Sequence, residues 1–214
     1  SISALVTNPS GIYADVTVGG GGHTAEILSR LNEDGHVIAF DRDEDALSNR
    51  IDDPRLILIR SDFRFIHNHI LLLAHDCAGS DPRLSERLAA GLDGILADLG
   101  VSSHQFDTAS RGFSFRYDAL LDMRMNQEGG MTAADVVGTY SQEDLERILR
   151  IYGEVDNSRR VAQLIVSARE RGGISTTGEL YAAIARAVPA YSGHKFLAKV
   201  FQALRIEVNH EMRS

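Results

Sequence analysis

The stretch Ile12-Tyr-Ala-Asp15-Val-Thr-Val-Gly19-Gly-Gly-Gly22-His23-Thr24 decides how the chain is read. It opens as a short β-rich run and ends in four consecutive glycines. From Thr24 a helical pattern begins, with Ala25, Ile27, Leu28 and Leu31 on one side and Asn32 and Gly35 closing it. Strand, glycine turn and helix in that order make half of a β-α-β unit. The pattern then repeats. Val37-Ile-Ala-Phe40 is a second strand with Asp41 at its carboxyl end, and Asp43 is placed to cap a helix through about Asn49. Leu56-Ile-Leu-Ile59 is a third strand, followed by Ser61-Asp62-Phe63, more helical sequence and a polar loop around Gly79 to Pro82. Gly94-Ile-Leu-Ala97 is a fourth, ending at Asp98. These strands are near-continuous apolar runs, as expected when helices cover both faces of a sheet. The first half therefore reads as a doubly wound, parallel α/β sheet.

In such sheets ligands bind beyond the carboxyl ends of the strands. The polar residues collect there: Asp15 and the glycines, Asp41, Asp62-Phe63 and Asp98. Glycines let the main chain approach a ligand closely, and the helix after them presents free N–H groups. Asp41 lies 22 residues after Gly19, near the offset at which an acid grips ribose hydroxyls. A nucleoside-type cofactor follows. The loop is not G-x-G-x-x-G, which disfavours a nicotinamide oxidoreductase. An acid four residues before the first glycine instead resembles the first motif of S-adenosylmethionine-dependent methyltransferases, with Asp62-Phe63 offering a polar group and an aromatic face to adenine.

Composition narrows the field. The 214 residues carry 22 basic and 30 acidic side chains, a formal charge of −8, which argues against an unspecialised nucleic-acid coat protein. No run approaches the length of a membrane span, and no leader argues for secretion. A single cysteine, Cys77, fits a reducing cytoplasm and excludes a cysteine-based zinc site. His67, His69 and His75 lack supporting acids or cysteines and read as a solvated helix face, so no metal is expected. The charge is uneven: residues 1–102 hold 8 arginines against 16 acids, whereas residues 103–214 hold 14 basic and 14 acidic groups.

Seven motifs in order give a specific resemblance. They are Val-Gly-Gly-Gly-Gly-His-Thr (18–24), Asp-Arg-Asp (41–43), Asp-Leu-Gly-Val-Ser-Ser (98–103) and Arg-Gly-Phe-Ser-Phe (111–115), then Leu-Asp-Met-Arg-Met (121–125), Tyr-Gly-Glu (152–154) and Phe-Gln-Ala-Leu-Arg-Ile-Glu-Val-Asn (201–209). Together they resemble the bacterial MraW/RsmH family of small-subunit ribosomal RNA cytosine-N4 methyltransferases, from about Gly11 to Met212. The resemblance implies S-adenosylmethionine as cofactor, with contacts at Gly21, Gly22, His23, Asp41, Phe63, Asp98 and Gln105. It implies the small-subunit ribosomal RNA, or the assembling subunit, as partner. Asp98 is the catalytic candidate, on the amine side or at the cofactor's amino-acid end, with Ser102 and Ser103 weaker. The competing reading is a non-catalytic RNA-binding or assembly module on the same scaffold. His23 has a second reading as a loop residue capping the helix from Thr24.

From Phe106 the pattern becomes helical, with periods across 133–137, 142–151, 158–171, 177–187 and 194–212. The expected organisation is a cofactor-binding α/β domain over 1–105, a helical insertion for RNA over 106–192, and a helix returning to the α/β domain over 193–214. Arg111, Arg116 and Arg124 are placed for phosphates, while Arg159, Arg160, Arg169 and Arg171 read as a solvated face. On the last helix, Lys195, Lys199, Gln202, Arg205 and Asn209 form a polar stripe, either an ordinary amphipathic face or one turned to the cleft and RNA. Family members also carry a His-x-Pro-Val-Leu segment before, and further strands after, the stretch matched here. Residues 1–214 are therefore expected to leave a sheet edge open.

Overall fold

The computed structural model describes residues 2–43, 51–98, 108 and 111–213. Its packing divides the chain into two compact units, residues 1–103 and residues 104–213. The helix expected through Asn49, the cofactor contact expected at Gln105 and the weaker candidates Ser102 and Ser103 lie outside the described residues.

The first unit contains α1 (Ile2–Leu5), β1 (Ile12–Asp15), α2 (Gly22–Arg30), β2 (His36–Asp41), β3 (Leu56–Arg60), α3 (Ile66–Cys77), α4 (Pro82–Ala90) and β4 (Gly94–Leu96). The four strands form one parallel sheet in the order β3-β2-β1-β4, with Ala14 opposite both Ile38 and Ile95. This is the Rossmann-like, doubly wound arrangement expected. From β1 the chain winds outward through β2 to β3, then returns to the other side of β1 as β4. That reversal is the switch point at which such sheets open a ligand crevice.

Strand alternation sends side chains to two apolar layers. Ile12, Ala14, Ile38 and Phe40 pack with Ile70, Ala74, Leu84 and Leu88 of α3 and α4. Tyr13, Val37 and Ala39 pack on the other face with Ile27, Leu28 and Leu31 at α2. Helix α4 was not foreseen, although its start follows the rules: Asp81 accepts the Leu84 N–H and Pro82 occupies the first turn. Among the described residues β4 pairs with β1 alone, and Ile95 is 52% exposed.

The second unit is a loop-rich stretch followed by α5 (Ala133–Thr139), α6 (Gln142–Ile151), α7 (Ser158–Gly172), α8 (Thr177–Ile184) and α9 (Gly193–Asn209). Reciprocal capping boxes start α5 and α8, at Thr132 with Asp135 and at Thr176 with Glu179. Leu145, Leu149, Ile165, Leu180, Val200 and Leu204 are fully buried, and each such burial contributes roughly 1.5–3 kcal/mol. Helix α9, expected to return to the α/β domain, packs on α5 and α6 within the second unit. Its apolar side, with Phe196, Leu197, Val200, Phe201 and Leu204, is what those helices cover. No described helix is long and apolar enough to cross a membrane.

Candidate functional site

The carboxyl ends of β1, β2 and β4 meet around the glycine loop. Asp15 ends β1 with no exposed surface. Its carboxyl accepts the Thr17 N–H at 3.1 Å and the Thr24 hydroxyl at 2.7 Å, so it ties the strand end to the first turn of α2. Asp15 is therefore an internal brace of the loop. Gly19 and Gly21 take left-handed φ values of 50° and 77°, which glycine adopts without steric cost. A Cβ on Gly20 or Gly22 would meet nothing within 4 Å, so one side of the loop is open to a ligand.

Asp41 closes the next side. One oxygen accepts the Gly19 N–H at 2.9 Å and the other the Asp43 N–H at 2.9 Å. Burial pushes the Asp41 carboxyl above the ordinary range, and the two N–H donors oppose that shift without cancelling it. The loop and the β2 end are thus pinned to each other, leaving lone pairs on the acid for further donors.

Across the switch point stands Asp98. The last ladder bond there runs from the Val16 N–H to Leu96 O at 2.9 Å. The Thr17 hydroxyl then accepts the Asp98 N–H at 2.8 Å. The Asp98 carboxyl is 3.8 Å from His23 Nδ1, and both side chains are well exposed. His23 lies inside the first turn of α2, whose N-cap is Gly21 without a side-chain bond, so it is not the capping residue. Asp62 caps a short 3-10 turn (Phe63–Phe65), accepts the Arg64 N–H and pairs with Arg42 and Arg64. Phe63 is half-buried and packs against the apolar layer under β1 and β2.

The structure therefore brings Gly19 to Asp41, and His23 and Thr17 to Asp98. Phe63 sits at the neighbouring strand end with part of its ring committed to the core. Thr17 was missed; its only signal was a hydroxyl two residues after a strand-ending acid. His67 and His75 are exposed, and the His69 ring lies 5.9 Å from Phe40.

The second unit corrects several assignments. Arg111 is buried and donates to the carbonyls of Arg124 and Met125 at 3.0 and 3.2 Å. Arg124 forks onto both Asp122 oxygens at 2.8 Å. Neither is presented for phosphate; Arg116 is exposed. Arg169 donates to the Val137 and Tyr140 carbonyls, closing α5 rather than lining a solvated face. Four of the five stripe residues of α9, all but the exposed Lys195, bond within their own unit. Lys199 donates to Glu154 O at 2.8 Å, Gln202 to Tyr152 O at 3.0 Å, and Arg205 lies 3.0 Å from Glu211.

Comparison with known proteins agrees with the motifs. The family model described as the MraW methylase family matches residues 1–214. Curated relatives named ribosomal RNA small subunit methyltransferase H are similar along the whole chain. Those of Bacteroides fragilis and Bacteroides thetaiotaomicron are 50% and 49% identical over 214 residues, and that of Flavobacterium johnsoniae is 47% identical over 212. The chain spans 66% of the length of each of these relatives. With a full-length family match and a sheet whose glycine loop meets Asp41, this chain belongs to the MraW methylase family.

Proposed function

We propose that the chain is the S-adenosylmethionine-binding and RNA-gripping part of a methyltransferase that modifies the exocyclic N4 amine of a cytosine in small-subunit (16S) ribosomal RNA, in the cytoplasm. The observation that carries this reading is the open glycine loop pinned to Asp41 beside Asp98, in a chain of this family. The relatives' names support the ribosomal RNA substrate. Cytosine N4 rests on the motif series.

The residues fit the cofactor. The bare sides of Gly20 and Gly22 admit close approach, and the first N–H groups of α2 suit a carboxylate. Gly21, Gly22 and His23 would hold the amino-acid end, Asp41 the ribose hydroxyls, Phe63 one adenine face, and Gln105 a further polar contact. The acidic balance of residues 1–102 favours a ligand bearing a sulfonium.

When bound, S-adenosylmethionine supplies an electrophilic methyl group. The cytosine amine is a weak nucleophile because its lone pair delocalises into the ring. Asp98 would accept one of its N–H bonds, localise the lone pair and orient it; proximity supplies much of the acceleration. The proton released leaves to solvent or to a nearby base. Residues 106–192 would grip the RNA, with Arg116 as an exposed cation for the backbone.

Calorimetric titration with S-adenosylmethionine is the first test, because absence of binding favours a non-catalytic assembly module. Mass spectrometry of ribosomal RNA from cells lacking the protein is the second. Loss of one N4-methylcytosine is expected, and an unchanged small-subunit RNA overturns the reading. Methylation retained by Asp98→Ala removes the role given to that acid.

A further inference from the structure

The β1–β4 ladder ends at Leu96, two residues before Asp98, the position that carries the reaction in the proposed function. Among the described residues, the Val16 N–H to Leu96 O bond is the last main-chain bond between the two strands. The next link, from the Asp98 N–H, is taken by a side chain, the Thr17 hydroxyl at 2.8 Å. Thr17 is itself held, because its N–H donates to the buried Asp15 carboxyl. The Asp15 carboxyl also receives the Thr24 hydroxyl, so one buried group fixes both Thr17 and the start of α2. The chain Thr24–Asp15–Thr17–Asp98 thus runs from the helix that carries His23 to the acid that faces His23.

A hydroxyl at this point does what an apolar residue of equal shape cannot. The Asp98 side chain is 72% exposed, so it has little packing of its own to fix it. The amide bond is therefore its principal fixed point among the described residues. Losing one such bond costs about 1 kcal/mol, a small part of fold stability but roughly fivefold in the population of a required geometry.

We propose that Thr17 is a positioning residue: its hydroxyl holds the Asp98 main chain across the switch point so that the Asp98 carboxyl is presented beside His23 and the glycine loop. The inference rests on the methyltransferase reading above and adds to it the residue that sets Asp98. It demands a hydroxyl at position 17, so serine serves and valine does not.

The test compares Thr17→Val and Thr17→Ser with the unsubstituted chain. Amide exchange at Asp98 followed by NMR reads the bond directly. Calorimetry with S-adenosylmethionine and turnover on assembling small subunits read its consequence. In the unsubstituted chain the Asp98 amide exchanges slowly despite its exposed side chain. In Thr17→Val that protection falls roughly fivefold and turnover falls by a similar factor, while the melting transition stays within a few degrees. Thr17→Ser restores both. A fast-exchanging Asp98 amide in the unsubstituted chain overturns the proposal, and this holds even if the valine variant does not fold. Turnover unchanged in Thr17→Val, or Thr17→Ser as impaired as Thr17→Val, overturns it as well. Failure of the unsubstituted chain to bind S-adenosylmethionine sinks the cofactor reading and the positioning role together. Normal binding with an indifferent valine variant sinks the positioning role alone.

Discussion

Asp15 and Thr24 are joined by a buried hydrogen bond of 2.7 Å that fastens the end of β1 to the first turn of α2. Neither side chain has exposed surface, so nothing in solvent replaces the bond when it is lost. Asp15→Ala leaves the Thr24 hydroxyl and the Thr17 N–H without their acceptor. At about 1–3 kcal/mol for each stranded group, the expected loss is roughly 2–6 kcal/mol in a urea melt. Thr24→Ser keeps the donor and should lose less than about 1 kcal/mol. Equal effects from the two substitutions would show that packing, not the bond, holds the loop.

Asp41 gives the site a pH dependence of known sign. Burial raises its carboxyl above the ordinary aspartate range, so it protonates at a higher pH than a free side chain. If Asp41 holds the ribose hydroxyls as proposed, protonation removes their acceptor, and cofactor affinity should fall as pH drops toward that raised value. Stability moves the other way. The contribution of this group is intact below the ordinary aspartate pKa and is lost as pH rises through the raised one, because the folded chain must then ionise a buried acid. Calorimetry between about pH 8 and about pH 4.5 should show declining affinity, and Asp41→Asn should flatten the curve at a low affinity. Affinity unaltered by that substitution removes Asp41 from the site.

The strands and the strand-end acids were legible because the physics there is local. An apolar run buried on both faces has one reading, and a glycine cluster after it has few. Which way a side chain turns is not local. Asp15 and Asp41 both end strands beside the glycine loop, yet one braces the loop in full burial and the other keeps acceptors at the rim. Thr17 gave no periodic signal because its partner lies 81 residues away. Helix α4 carries only Leu84 and Leu88 as buried residues, too short a stripe to stand out after a polar loop. In the second unit, motif order was legible but its purpose was not. Gly153 sits so close to the α9 main chain that a Cβ would lie 2.5 Å from Lys199 O. The Tyr-Gly-Glu segment is therefore a seat for α9, with Lys199 and Gln202 bonded to its carbonyls.

Arg111 and Arg116 should separate stability from RNA affinity. Arg111 is inside the second unit, bonded to two carbonyls and with its guanidinium 5.8 Å from the Phe113 ring. Arg111→Ala strands those carbonyls and should cost about 3 kcal/mol. Arg116 is exposed, and Arg116→Ala should alter stability by less than about 0.5 kcal/mol. If Arg116 meets phosphate, its loss weakens binding of a small-subunit RNA fragment and lowers the log K against log salt slope by about 1. An unchanged slope places the RNA elsewhere.

Tyr140 donates to Glu207 at 2.7 Å and joins the end of α5 to α9. Burial, reinforced by Glu207, pushes its phenol up to about 12. The contribution is complete below the ordinary tyrosine pKa near 10 and is lost as pH rises from there through about 12. Tyr140→Phe should cost about 1 kcal/mol at neutral pH and reduce the alkaline fall in stability. Every other titratable group is common to both proteins, so the difference between the two melts isolates Tyr140. An unchanged alkaline limb would mean that the phenol ionises freely.

Asn209 ends α9 and holds two points of the 121–125 segment at once. Its amide nitrogen donates to Met123 O at 2.8 Å and to Arg205 O at 2.9 Å, and its oxygen accepts the Met125 N–H at 2.7 Å. Met123 is fully buried with φ of 61°, a left-handed conformation that a methionine adopts only when its surroundings impose it. The two motifs thus specify one joint, and shape alone cannot satisfy it. Asn209→Asp keeps the volume but replaces the donor with an acceptor facing a carbonyl, whereas Asn209→Ala merely removes the group. The aspartate substitution should therefore be the worse of the two at pH 7, by about 1–2 kcal/mol, with part of the difference recovered near pH 4, where protonation restores a donor. Alanine as damaging as aspartate at both pH values would assign the joint to packing and leave the amide without that role.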